Sequence, residues 1–121
     1  MPIRTYRDLE VFQEAYQTAL TISKLAKRFP PFEQVELARQ LRRAARSIPA
    51  NIVEGWAKRS SAAEFKRYLQ VAIGSCQETK VWLEMSKDEE YISNQEFSEI
   101  TSHYERVGVM LQNLWKRWRS L

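Results

Sequence analysis

Four arginines, Arg39, Arg42, Arg43 and Arg46, recur at spacings of three, one and three residues. On a helix that spacing makes one ridge on one face. Guanidinium forks match phosphate oxygens, and a ridge of them can track a nucleic-acid backbone. Four more cations, Lys58, Arg59, Lys66 and Arg67, flank the next break in the helical pattern. Trp56 and Tyr68 beside them could stack on bases. The competing reading is a solvated face whose arginines pair with glutamates of this chain or of a neighbouring subunit. RNA or DNA binding and a purely structural role both remain open at this level.

The chemistry of an enzyme is hard to assemble from these residues. Cys76 and His103 are the only cysteine and the only histidine. A zinc site needs several such ligands. No Glu stands three residues before His103, so the Glu-x-x-His pairing of metal-binding bundles is missing. Gly55, Gly74 and Gly108 stand alone, without the glycine-rich run that cradles phosphates. The expectation is a non-enzymatic protein with no cofactor, no metal and no catalytic residues.

The charge is polarised along the chain. Residues 36–67 hold eight basic and three acidic side chains, and residues 68–99 hold two basic and seven acidic ones. The net charge of +4 conceals this division. Such a molecule can present a basic face to nucleic acid or pair its ends with copies of itself. At 121 residues it reads as one domain, residues 1–121. A lone cysteine among apolar neighbours suits a reducing compartment. The opening stretch MPIRTYRDLEVF has no apolar leader, and no uncharged run reaches the ~18 residues of a membrane span. A soluble cytoplasmic protein with no membrane partner is expected.

Helices must position these residues. Three glycines and four prolines are few breakers, and apolar–polar alternation never persists. The first helix is predicted to begin near Thr5, with Thr5 and Asp8 as a capping box, and to bury Leu9, Phe12, Tyr16, Ala19, Ile22 and Ala26. The second starts at Pro31–Glu33 and buries Leu37, Leu41, Ala44, Ala45, Ile48, Ile52 and Trp56. Its stripe keeps phase through Pro49, which favours one kinked helix over a restart capped by Ser47. Asn51 can satisfy carbonyls that the proline frees. Ser61-x-x-Glu64 and Ser93-x-x-Glu96 open the third and fourth helices as capping boxes. Helices of roughly 22–28 residues with short links predict an all-α, up-down-up-down four-helix bundle.

One stripe per helix satisfies a monomer, and this chain has more. Val35, Val53, Val71, Ile73, Trp82, Met85, Val109, Met110 and Trp115 lie off the stripes. Large aromatics suit interfaces. A homo-oligomer is therefore expected, with Trp56, Trp82, Met85 and Trp115 as interface candidates, and a protein partner is an alternative.

The run Gln40-Leu41-Arg42-Arg43-Ala44-Ala45, followed by Ser47-Ile48-Pro49-x-Asn51-Ile52-x-Glu54-Gly55, resembles the signature of the 23S rRNA intervening sequence proteins. YRDLEVFQEA at 6–15, EFKRYLQVAIGSCQE at 64–78 and EYIS at 90–93 are similar to segments of that family. The resemblance spans about residues 5–115. It implies a four-helix bundle similar in fold to the accessory variability protein of diversity-generating retroelements. That relative forms a homopentameric ring with a basic surface and works with a reverse transcriptase and nucleic acid. The resemblance therefore favours a cytoplasmic pentamer. The family has no established catalytic residues, so none is carried over.

Overall fold

The computed structural model describes residues 2–118. It contains four helices: α1 (Glu10–Ala26), α2 (Leu37–Ala57), α3 (Ala62–Asp88) and α4 (Asn94–Arg117). Among the described residues there is no strand, and no helix is long and apolar enough to cross a membrane. Packing follows chain order and then closes, α1 on α2, α2 on α3, α3 on α4 and α4 on α1. Paired residues show the directions. Arg28 meets Glu96 while Glu14 meets Arg106, so α1 and α4 are antiparallel. Ser23 meets Arg46 and Ala26 meets Gln34 across the α1–α2 turn. Gly55 faces Phe65 while Ser47 meets Ser75 across α2 and α3. Lys66 lies over Trp115 and Cys76 reaches Tyr104 across α3 and α4.

The buried stripes largely follow the helical period. Leu41, Ala44, Ala45, Ile48, Ile52 and Trp56 of α2 are buried, as are Phe65, Leu69, Ala72, Cys76, Thr79 and Leu83 of α3. On α1 the stripe is rotated from the expected one. Val11, Phe12, Ala15, Ala19, Ile22, Leu25 and Ala26 are buried, whereas Tyr16 points outward. Much of the apolar surplus is also absorbed by a wide core, because Val53, Ile73, Trp82, Met110 and Trp115 pack against it.

Two helices start later than the sequence suggests. The Thr5–Asp8 cap forms, with Asp8 Oδ2 accepting from the Thr5 amide at 3.1 Å, but it caps only the 3-10 turn Tyr6–Asp8. Leu9 is extended there, its side chain buried, and α1 begins at Glu10. Pro31–Val35 is likewise a 3-10 turn. It stops because Glu36 leaves helical geometry at φ −122° and ψ −99°. Buried Glu33 then caps α2, its Oε1 accepting from the Leu37 amide at 3.2 Å. The first two α-helices are therefore 17 and 21 residues long, shorter than expected.

Pro49 sits inside α2 without ending it, so the restart is excluded. An interior proline costs ~3 kcal/mol, which packing has to offset. Pro49 is buried against α1, and Asn51 Nδ2 donates to the Ser47 carbonyl at 2.8 Å and to Ser47 Oγ at 3.0 Å. The Ser47 hydroxyl is in turn 2.7 Å from that of Ser75 on α3. The polar residues around the proline thus tie α2 to itself and to its neighbour.

Candidate nucleic-acid interface

At about 100° per residue, Arg39, Arg42, Arg43 and Arg46 fall within an arc of about 100° on α2, facing away from the buried stripe. Arg39, Arg43 and Arg46 are exposed and Arg42 is half-buried. Two of the four are held. Arg42 donates to Gln34 Oε1 at 2.8 Å, and Arg46 donates to Ser23 Oγ at 3.2 Å. Gln34 itself is fixed, because its Nε2 donates to the carbonyls of Ala26 and Phe29 at the end of α1. The loop before α2 therefore orients an arginine of α2. This support was invisible in the periodicity, because Gln34 lies in a turn and its partners are set by the chain reversal.

The other four cations gather at the α2–α3 turn. Lys58 Nζ donates to Tyr68 Oη at 2.8 Å and lies 4.8 Å from the ring centroid. That hydrogen bond raises the Lys58 ammonium above its ordinary pKa. Arg67 crosses the same ring at 4.5 Å and pairs with Glu64, which raises its pKa and lowers that of Glu64. Arg59 lies 4.3 Å over Trp56, and Lys66 lies 5.0 Å over Trp115. These cations are largely spent on aromatic faces of their own chain. The turn lies about 18 Å along α2 from Arg46 at 1.5 Å per residue, so the eight residues form two groups rather than one patch.

Trp56 does not fill the roles expected of it. It is buried, edge-on to Phe65 and Trp118, with Arg59 covering a face. Little of its surface is left for a base or for a second copy. Trp115 and Trp82 are half-buried, the latter with Nε1 donating to Glu78, and only Met85 of the four candidates is largely exposed. Tyr68 is half-buried between two cations.

Cys76 and His103 are not brought together for catalysis. Burial pushes the Cys76 thiol up to about 11, and its Sγ donates to the Tyr104 carbonyl at 3.1 Å. It is a neutral core residue at ordinary pH. His103 lies in the α1–α4 cleft beside Glu14 and Glu99. Among the described residues no group of three or more His, Cys, Asp and Glu is placed to hold a metal.

Comparison with known proteins agrees with this architecture. No curated protein shows significant similarity to the chain. A crystal structure from Bacteroides thetaiotaomicron, a protein of unknown function from the S23 ribosomal protein family, superposes with a TM-score of 0.80 at 27% identity. The match covers 88% of this chain and 95% of that one. The family model of the 23S rRNA-intervening sequence protein matches residues 7–113. With a match over nearly its whole length, this four-helix bundle belongs to the 23S rRNA-intervening sequence protein family.

Proposed function

We propose that this protein binds the phosphate backbone of RNA or DNA through the arginine ridge of α2, as a non-enzymatic accessory or scaffold protein. One observation carries the reading. Four guanidinium groups line about two turns of one helix, away from the core, and side chains outside that helix orient two of them. Pre-oriented forks lose less freedom on meeting phosphates than free ones. The α2–α3 turn contributes Lys58 and Arg67 as a second, weaker group. A neutral buried thiol supports a role without catalysis. The free buried Cys76 suits the reducing cytoplasm.

The test is affinity for a short structured RNA and a duplex DNA as a function of salt. Four phosphate contacts give a slope of log K against log salt of roughly −3 to −4. Arg39→Glu with Arg43→Glu alters two exposed positions and should flatten that slope while helicity is kept. Binding that ignores salt, or survives the double variant unchanged, would sink the reading.

The alternative is an oligomer that serves as a protein-interaction hub with no nucleic-acid role. Exposed Val71, Val81, Met85 and Val109 favour it. The family suggests a homopentamer, which would show a native mass of five times the 14.3 kDa chain by light scattering.

A further inference from the structure

The aromatics that stand beside the cations in sequence are poor platforms for a base. Trp56 is buried, and Tyr68 lies between two cations. Tertiary packing brings other rings to the arginine ridge. Along α2, Arg39, Arg42, Arg46, Pro49 and Val53 follow one another at alternating spacings of three and four. They therefore share one stripe of the helix. Its first half is the ridge, and its second half floors a groove between α1 and α2. The stripe runs about 21 Å at 1.5 Å per residue.

The groove has a volume of about 420 Å³. Sites for small molecules span roughly 300–1,000 Å³, so this one suits a single base with its sugar. Its α1 wall is aromatic. Tyr6 stands edge-on to Phe12 with centroids 4.9 Å apart, and Phe12 lies 5.7 Å from Tyr16. Phe12 is buried and anchors the set, whereas Tyr16 is 46% exposed and offers its ring.

Both ends of the groove are cationic. Arg46 stands where ridge and groove meet, and its bond to Ser23 Oγ at 3.2 Å fixes it there. Arg7 closes the other end, its guanidinium 5.3 Å from the centroid of the Tyr6 ring. The turn that carries Arg7 is pinned to α1, because Gln13 Nε2 donates to the Arg7 carbonyl at 2.7 Å. Among the described residues no carboxylate lines this groove. An apolar, ring-walled slot between two arginines matches a flat base flanked by phosphates.

We propose that the α1–α2 groove takes one unpaired base of a single-stranded or looped nucleic acid whose backbone lies on the arginine ridge. The proposal rests on the ridge reading and adds a preference to it. The base stacks against Tyr16 above the Pro49 floor, and Arg46 and Arg7 hold the phosphates on either side of it. A blunt duplex keeps its bases paired and stacked, so it meets the ridge alone. The slot's walls are mainly apolar and aromatic, so stacking selects for an unpaired base more than for a particular sequence.

The experiment measures affinity by fluorescence anisotropy for three probes of one length at one salt concentration. They are an unstructured single-stranded RNA, a blunt RNA duplex and an abasic single strand. The wild type is expected to bind the RNA strand about tenfold more tightly than either other probe. Tyr16→Ala removes the ring, and Ala50→Gln fills the groove from an exposed position without changing charge. Each should weaken single-strand binding about tenfold and leave duplex binding and native mass unchanged, while Tyr16→Phe keeps wild-type affinity. Circular dichroism checks that helicity is retained. Equal affinity for the three probes, or a Tyr16→Ala variant that binds the strand like the wild type, overturns the groove proposal and leaves the ridge standing. A Tyr16→Ala variant of lower native mass overturns it too, because the ring then serves a contact between copies. Single-strand binding that falls with Tyr16→Ala but survives Arg39→Glu with Arg43→Glu sinks the ridge and keeps the groove. A wild type that binds no probe at low salt overturns both.

Discussion

Tyr91 Oη donates a 2.8 Å hydrogen bond to Oε2 of Glu33, a residue 58 positions earlier. The other oxygen of the same buried carboxylate accepts the Leu37 amide that starts α2. One side chain therefore joins the α1–α2 link to the α3–α4 link at the same end of the bundle. The bond to Glu33 also raises the Tyr91 phenol to about 12, so the contact persists across the ordinary pH range.

Removing that carboxylate leaves a helix-start amide and a phenol without their acceptor. Glu33→Ala should cost about 2 kcal/mol in urea unfolding. Tyr91→Phe should cost less, because the Leu37 cap survives. The double variant should fall short of the sum of the two, and strict additivity would show that the residues act separately.

The chain leaves α3 through Glu90, the only non-glycine residue at positive φ, 65°, among those described. Tyr91 N bonds to Ser86 O at 2.9 Å and Glu90 N to Lys87 O at 2.9 Å, the pattern of a Schellman cap. Glycine suits that conformation better. Glu90→Gly should stabilise the protein by about 1 kcal/mol, read as a higher thermal midpoint, whereas Glu90→Ala should give no such gain.

Gly55 and Gly74 predict effects of opposite sign. A Cβ at Gly55 would lie 2.8 Å from Phe65 Cδ1 and 2.8 Å from Tyr68 Cβ, so Gly55→Ala should destabilise by about 1–3 kcal/mol. Gly74→Ala meets open space and should stabilise the isolated chain by up to about 1 kcal/mol. Both are best measured at low protein concentration and high salt, where contacts between copies are weakest.

Acid should weaken the α1–α4 clasp. The hydrogen bonds from Arg28, at 2.6 and 3.1 Å, hold the Glu96 carboxyl down at about 2. A folded-state pKa below the ordinary carboxyl value of 4.5 means stability that is fully present above that value. It is lost as pH falls from there through about 2. Arg28→Gln should flatten this part of the stability–pH curve, and an unchanged curve would show that the pair contributes nothing.

Local features were legible from residues within four positions of one another. Ser93 and Glu96 form the full capping box, and Ser61 accepts the Glu64 amide. Thr5 and Asp8 cap each other too, but the turn they cap ends at Leu9, whose burial belongs to the whole bundle. The arginine ridge followed from spacing alone, because four side chains within one arc need only a helix beneath them.

Tertiary structure decided what the cations and aromatics do. Periodicity cannot tell which flank of α1 meets a neighbour, so Tyr16 turned outward and Trp56 into the end cluster with Phe65 and Trp118. It could not show that Lys58 and Arg67 share the ring of Tyr68, or that Gln34 orients Arg42. The sequence by itself determined four amphipathic helices, their breaks and a polarised charge, because these depend on short-range backbone sterics and helical period. Which polar groups meet depended on long-range chain reversals, and so only the packed bundle could place Glu33 under Tyr91 and leave Gly74 open to solvent.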